Sequence, residues 1–362
     1  MGRGWKYLMI RVMFNKPLVI GLAGAVALAV GLGFLATASD APAADEQVLN
    51  LYSSRHYQTD EALYTDFTDQ TGIEIRRLEA KGDELLKRMS AEGANSPADV
   101  FVTVDAGRLW RAEQAGLFAP VESEILDERI PANLRHPDGL WFGFSTRARM
   151  IFYDQRRFEA AQLATYGSLA DPRLRGEVCI RSSGNIYNLS LLGSIIAHDG
   201  AEAAEKWAAG VVANFARPPQ GGDTDQLRAV AAGECGVAVA NSYYFARLMN
   251  SDDPADQAVV EHVGWVFPDQ AGHGTHVNIS GAGVLKTAPN PENARKFLEY
   301  LASDRAQTLF ARGNNEYPAT SAPLENPALE TMGEFRVDSL NVSSFGTNQT
   351  EAQQVFDRAG WR

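Results

Sequence analysis

Cysteine is nearly absent from this chain: among 362 residues only Cys179 and Cys235 occur. Two thiols without a matching Cys/His cluster exclude a structural zinc site. Basic charge is also in deficit. Lys plus Arg number 33 against 45 Asp plus Glu, a net charge of −12, and no segment concentrates enough basic residues to follow a phosphate backbone, so nucleic acid is not an expected partner. Beyond the N-terminus no segment approaches about 18 uninterrupted apolar residues, which excludes later transmembrane helices. Catalytic signatures are missing too. There is no Gly-x-Ser-x-Gly elbow, no Walker-type phosphate loop, no His-Glu-x-x-His and no Rossmann fingerprint. Ser182-Ser183 with His56 can be drawn as a hydrolase pair, but nothing else supports an enzyme.

What is present begins with a segment that reads as a secretory signal over residues 1–43. Basic residues run up to Lys16, an apolar stretch follows from Pro17 to Ala38, and Ala41-Pro42-Ala43-Ala44 supplies small residues for cleavage before Asp45. The apolar stretch is long enough that an uncleaved anchor is the alternative. Export places the chain in the periplasm, where an even number of cysteines makes a disulfide plausible; two separate buried thiols remain the other reading. The length exceeds the roughly 250–300 residues at which one core stops growing, so two lobes are expected. With 45% hydrophobic and 22% charged residues the bulk of the chain should fold as an ordinary globular protein, a monomer by default.

Strand and helix patterns alternate from the start of the mature chain. Gln47 to Tyr52 reads as a buried strand, Thr59 to Thr71 as a helix with Ala62, Leu63 and Phe67 inward, Ile73 to Leu78 as a strand, and Gly82 to Glu92 as a helix with Leu85, Leu86 and Met89 on one face. Ala98 to Val102 completes a βαβαβ rhythm that implies a mostly parallel sheet covered by helices. The pattern renews after Leu140-Trp141-Phe142-Gly143 with a strand at Met150–Tyr153, Val178-Cys179-Ile180, a helix from Leu189 to His198, a helix from Asp225 to Ala232, and strands at Gly236–Ala240 and Val263–Phe267. His276 to Val284 then leads into a helix from Pro291, a residue favoured in the first turn.

Three constellations follow predicted strands: Ser53-Ser54-Arg55-His56-Tyr57, Arg181 to Asn188, and Asn241-Ser242-Tyr243-Tyr244. In open α/β sheets ligands collect at the carboxyl ends of strands, so sites distant in sequence can converge there. Their shared chemistry suits a hard trivalent cation, which prefers anionic oxygen, and phenolate supplies oxygen with charge. Arg55, Arg147, Arg149 and Arg247 are candidates to balance the resulting charge. Each constellation also has an ordinary structural reading. Tyr243-Tyr244 can be half-buried packing, and Asn185 can simply cap a helix. His273 and His276, flanked by glycines and a β-like run, fit a loop-to-strand role better than a second metal pair.

Taken together, Leu51 to Tyr57, Cys179 to Asn188, Gly233-Glu234-Cys235-Gly236 with Asn241 to Tyr244, and His276 to Gly281 resemble the signature stretches of ferric-ion-binding proteins of bacterial ABC importers, over Val48 to Ala319. The resemblance implies an α/β, two-lobed type II periplasmic-binding-protein fold, with a mixed, mostly parallel sheet in each lobe and the ligand cleft between. It places the first lobe at 46–146 plus 279–318 and the second at 147–278 plus 319–362, with crossings near Ser145–Ile151 and Asn278–Val284. It implies ferric iron as the transported ligand, no catalytic cofactor, an inner-membrane ABC permease as partner, and His56, Tyr57, Tyr187, Tyr243 and Tyr244 as the metal ligands. The alternative is a binding protein of the same fold for a small organic anion such as a sulfonate, phosphonate or carboxylate, held by arginines and main-chain amides.

Overall fold

Val48-Leu49-Asn50-Leu51-Tyr52-Ser53 has almost no polar alternation, the pattern of a strand covered on both faces, and in the computed structural model it is buried along nearly its whole length. The structure describes residues 47–55 and 57–362; the predicted signal over 1–43 lies outside them. The chain runs β1 (Val48–Ser53), α1 (Asp60–Thr71), β2 (Glu74–Glu79), α2 (Gly82–Glu92), β3 (Val100–Val104), α3 (Ala106–Gln114), α4 (Glu124–Arg129) and β4 (Phe142–Asp154). It continues through β5 (Val178–Cys179), α5 (Ile186–Asp199), α6 (Ala201–Ala213), α7 (Asp223–Ala231), β6 (Val237–Asn241), α8 (Ser242–Met249), α9 (Pro254–His262), β7 (Val263–Val266) and β8 (Val277–Val284). The last part holds α10 (Pro291–Leu301), α11 (Asp304–Asn314), β9 (Tyr317–Pro318), α12 (Pro327–Met332), α13 (Ser343–Thr347) and α14 (Gln349–Ala359). No helix among the described residues is long and apolar enough to cross a membrane.

The expected strand–helix rhythm is present, and two details differ. On α1 the inward face is Leu63, Tyr64 and Phe67, while Ala62 is exposed. The larger Tyr64 ring takes the buried position and approaches Phe297 of α10. Phe67, fully buried, packs edge-on to Phe297 at 5.1 Å, a burial that contributes on the order of 1.5–3 kcal/mol. The sheet is mixed as expected, but parallel pairing is confined to β1 with β2 and β3 and to β5 with β6. The pairs made by β4 and β8 are antiparallel.

The two apolar patches around Phe142 and Met150 are one strand. β4 pairs with β8 and β9 through Phe142–Ala148, then with β6 and β7 through Arg149–Asp154. A single strand therefore passes from one group of strands to the other, changing neighbours between Ala148 and Arg149. β8 lies between β3 and β4, and its glycines let it fit: a Cβ on Gly283 would meet the Leu140 carbonyl oxygen at 2.5 Å, and one on Gly281 would meet the Phe142 carbonyl oxygen at 2.7 Å. The C-terminal segment packs α14 on α5 and α6, while α13 touches both α3 and α5.

Cys179 at the end of β5 and Cys235 just before β6 form a disulfide, with Cα atoms 5.9 Å apart and a sequence separation of 56. Closing a loop of that length restricts the unfolded chain. A Cys179→Ala/Cys235→Ala double variant is expected to lose about 2–4 kcal/mol of unfolding stability in a denaturant melt; reducing agent should produce the same loss in the parent and none in the variant.

Candidate functional site: a tyrosine cluster at the strand ends

Three chain segments that leave strands at their carboxyl ends meet at one place, as open α/β sheets arrange ligand sites. Tyr57 lies in the loop between β1 and α1, in the turn whose carbonyl accepts the Asp60 amide. Tyr187 is in the first turn of α5, where Asn185 caps the helix and its side chain accepts from the Tyr187 amide at 3.2 Å. Tyr243 and Tyr244 are in the first turn of α8, which starts directly from β6. The cap at Asn185 and the stacked pair at 243–244 are thus both real packing features. Their structural role and their convergence coexist.

The phenol oxygens of Tyr187 and Tyr243 are 3.3 Å apart. The rings of Tyr243 and Tyr244 stack with centroids 4.2 Å apart. Arg247, one turn along α8, has its guanidinium carbon 6.0, 5.9 and 5.8 Å from the ring centroids of Tyr57, Tyr243 and Tyr244. One cation within interaction range of three rings places Tyr57 beside the other tyrosines. The structure thus brings together Tyr57, Tyr187, Tyr243 and Tyr244. His56 lies outside the described residues.

The phenols act on one another electrostatically as well. Burial pushes the Tyr57 phenol up to about 12, with the negative charges of Glu316 and a Tyr187 phenolate adding to the effect and Arg55 and Arg147 opposing it. Tyr243 and Tyr244 are raised as well, by burial first and then by the neighbouring phenols. At neutral pH these hydroxyls hold their protons. A ligand that needs phenolate must displace them itself.

Behind the tyrosines the four arginines expected to balance charge divide into two kinds. Arg55 and Arg147 converge on Glu316, at 3.1 and 2.7 Å, and all three are at most 2% exposed. Arg55 also holds Asp60 at 2.8 Å, while Ser145 donates to Glu316 at 2.6 Å and Ser280 hydrogen-bonds both guanidinium groups. Arg149 pairs with Asp223 at 2.6 Å, and Arg181 approaches the other oxygen of the same carboxylate at 3.4 Å. Arg247 is different. Among the described residues it has no carboxylate within ion-pairing distance, and it is exposed. Glu316 and Asp223 escaped the sequence reading. Neither carries a local signal, since each is one of 45 acidic residues and only the fold reveals that these are buried beside the site arginines.

His276 sits just ahead of β8, buried, with its carbonyl accepting the Arg149 amide at 2.9 Å. Burial and the nearby Arg149 hold its imidazole neutral, at about 3. His273 stacks instead on His198, at 3.8 Å. No group of three or more His, Cys, Asp or Glu side chains among the described residues could hold a metal ion.

An α/β chain with a strand shared by two groups of strands and a ligand-type cluster at strand carboxyl ends is a solute-binding fold of the two-lobed type II kind. The family model described as bacterial extracellular solute-binding protein matches residues 95–336, and the chain belongs to that family. It is 54% identical over 321 residues to iron uptake protein A2 of Synechocystis, covering 88% of this chain and 91% of the relative. To iron uptake protein A1 of the same organism it is 48% identical over 355 residues, covering 96% and 99%. Among solved structures, the Trichodesmium FutA (IdiA) protein in complex with iron and citrate is 55% identical, with a TM-score of 0.85, covering 87% of this chain and all of that one.

Glu316 generates a pH prediction. Burial alone would raise its carboxyl, but Arg55 and Arg147 overcome this and bring it from 4.5 to about 2. A folded value below the unfolded one stabilises the protein above the unfolded value, and that stabilisation is lost as pH falls toward the folded value. Glu316→Gln leaves Arg147 without its carboxylate and is expected to cost about 3–5 kcal/mol at neutral pH. The difference between wild type and variant in urea melts should narrow as pH drops from 4.5 to about 2; an unchanged difference across that window would show that the ion pairs are not its source.

Proposed function

We propose that this chain is an extracytoplasmic carrier that captures ferric iron in the periplasm and delivers it to an ABC-transporter permease in the inner membrane. The observation that carries the reading is the convergence of four tyrosines: Arg247 lies within range of the rings of Tyr57, Tyr243 and Tyr244, and the Tyr187 and Tyr243 hydroxyls are 3.3 Å apart. Phenolate oxygen is the hard anionic donor that a trivalent cation prefers. The printed names of the relatives, iron uptake proteins and an iron- and citrate-bound structure, support the same ligand.

In this reading His56 joins the four tyrosines as a neutral imidazole ligand, and the site is a carrier's rather than a catalyst's. The lobes comprise 46–146 plus 279–318 and 147–278 plus 319–362. The change of partners along β4 supports a hinge there. Tyr57 then belongs to one lobe and Tyr187, Tyr243 and Tyr244 to the other, so metal bound by both stabilises the closed form that a permease can recognise. The carrier works as a monomer. The arrangement counts against an organic-anion ligand, because Arg55, Arg147 and Arg149 already meet buried carboxylates.

The test is a visible absorption titration of the chelator-stripped mature protein with ferric citrate. A saturable coloured band at one equivalent, lost on acidification, is expected from phenolate-to-iron charge transfer. Tyr187→Phe and Tyr243→Phe should each weaken binding at least as much as loss of an outer-shell partner, about 10–100-fold. Wild-type affinity in both variants would overturn the ligand assignment, and a folded parent without a band would redirect the search to small anions, screened by thermal stabilisation.

A further inference from the structure

Asp223, the first residue of α7, is fully buried and pairs with a fully buried arginine. A buried ion pair is a poor source of net stability, since desolvation offsets much of its attraction. What such a pair can supply is direction, and its hydrogen bonds end on the two helix starts that carry tyrosines.

One oxygen of Asp223 accepts from Arg149 at 2.6 Å and from the Asn241 amide at 2.8 Å. Asn241 is the residue from which α8 begins, two positions before Tyr243. The second guanidinium nitrogen of Arg149 donates to the Asn188 side-chain oxygen at 2.9 Å. Asn188 follows Tyr187 in the first turn of α5, and its side-chain Nδ2 donates to the carbonyls of Arg181 and Ser182 at 2.9 and 3.1 Å. A continuous chain of hydrogen bonds therefore runs from the start of α8 through Asp223 and Arg149 to the start of α5. Arg149 is fixed in turn by its place on β4 opposite Asn241.

We propose that Asp223, acting through Arg149 and Asn188, is a positioning residue that holds Tyr187 at chelating distance from Tyr243 and Tyr244 before any metal arrives. This rests on the reading of the tyrosines as ligands and adds to it a preorganised three-tyrosine half-site. Groups outside the coordination sphere orient metal ligands in this way, and their loss costs about 10–100-fold in affinity. Asp223 touches no reacting atom and is not itself a ligand.

The experiment compares Asp223→Ala, Asp223→Asn and Asn188→Ala with the parent in the ferric citrate titration, each checked for folding by circular dichroism. Asp223→Ala is expected to bind at least about tenfold more weakly with a displaced or weakened charge-transfer band. Asp223→Asn keeps an oxygen acceptor for the Asn241 amide and should recover part of both. Asn188→Ala leaves the ion pair intact and removes the link from Arg149 to α5 together with the bonds to the Arg181 and Ser182 carbonyls, so it should weaken binding and alter the band even if Asp223→Ala does not fold. Lowered melting temperature with parental affinity and band in the folded variants would mean a purely structural role and overturn the inference. A parent without a band would instead refute the iron reading itself, which keeps the two failures apart.

Discussion

A guanidinium taken out of water has to meet a carboxylate, and that requirement organises the interior behind the tyrosines. Arg55, Arg147 and Arg149 are all at most 2% exposed, and an uncompensated charge at that depth would cost several kcal/mol. Glu316 and Asp223 answer the requirement from opposite parts of the sequence. Glu316 reaches Arg55 beside Tyr57 and Arg147 on β4; Asp223 reaches Arg149, two residues further along the same strand. The strand that changes neighbours between Ala148 and Arg149 therefore carries one buried arginine on each side of the change.

That arrangement explains what could be read from the sequence and what could not. Strands such as Val48–Ser53 and Val237–Asn241 are legible because burial on both faces forces continuous apolar or small residues. β4 is not legible as one strand, because Ser145, Thr146, Arg147 and Arg149 interrupt its apolar pattern and look like a loop between two shorter strands. They are buried all the same, since each charge has a partner contributed by a distant segment. The disulfide was left open by composition and is settled by β5 and β6 lying side by side. The departure at Ala62 is of the ordinary kind: an amphipathic face drifts by a residue or two, and Tyr64 fills a position that a small residue could not.

The candidate site was legible as three constellations falling after strands, and its individual residues only through the resemblance those stretches carry together. A stacked Tyr-Tyr pair and an Asn-capped helix each have sufficient structural reasons to exist. Geometry adds what no local signal contains, namely that Tyr187 and Tyr243 approach to 3.3 Å and that Arg247 faces rings from two chain segments. The carboxylates behind the site were invisible because acidity is spread through this chain, and nothing local marks an Asp or Glu destined for burial.

The charge balance has a consequence for the choice of metal on the proposed reading. Because Arg55, Arg147 and Arg149 are already paired with carboxylates, their charge only partly offsets what burial costs a phenolate at Tyr57. The phenols of Tyr57, Tyr243 and Tyr244 are raised by burial and stay protonated, Tyr57 with a value near 12. Each proton released must then be driven off by the incoming ion. A trivalent ion attracts phenolate oxygen far more strongly than a divalent one at the same distance, in proportion to its charge, and so can displace more protons. On that reading the protons held by Tyr57, Tyr243 and Tyr244 are a cost that a more highly charged cation offsets better than a less charged one.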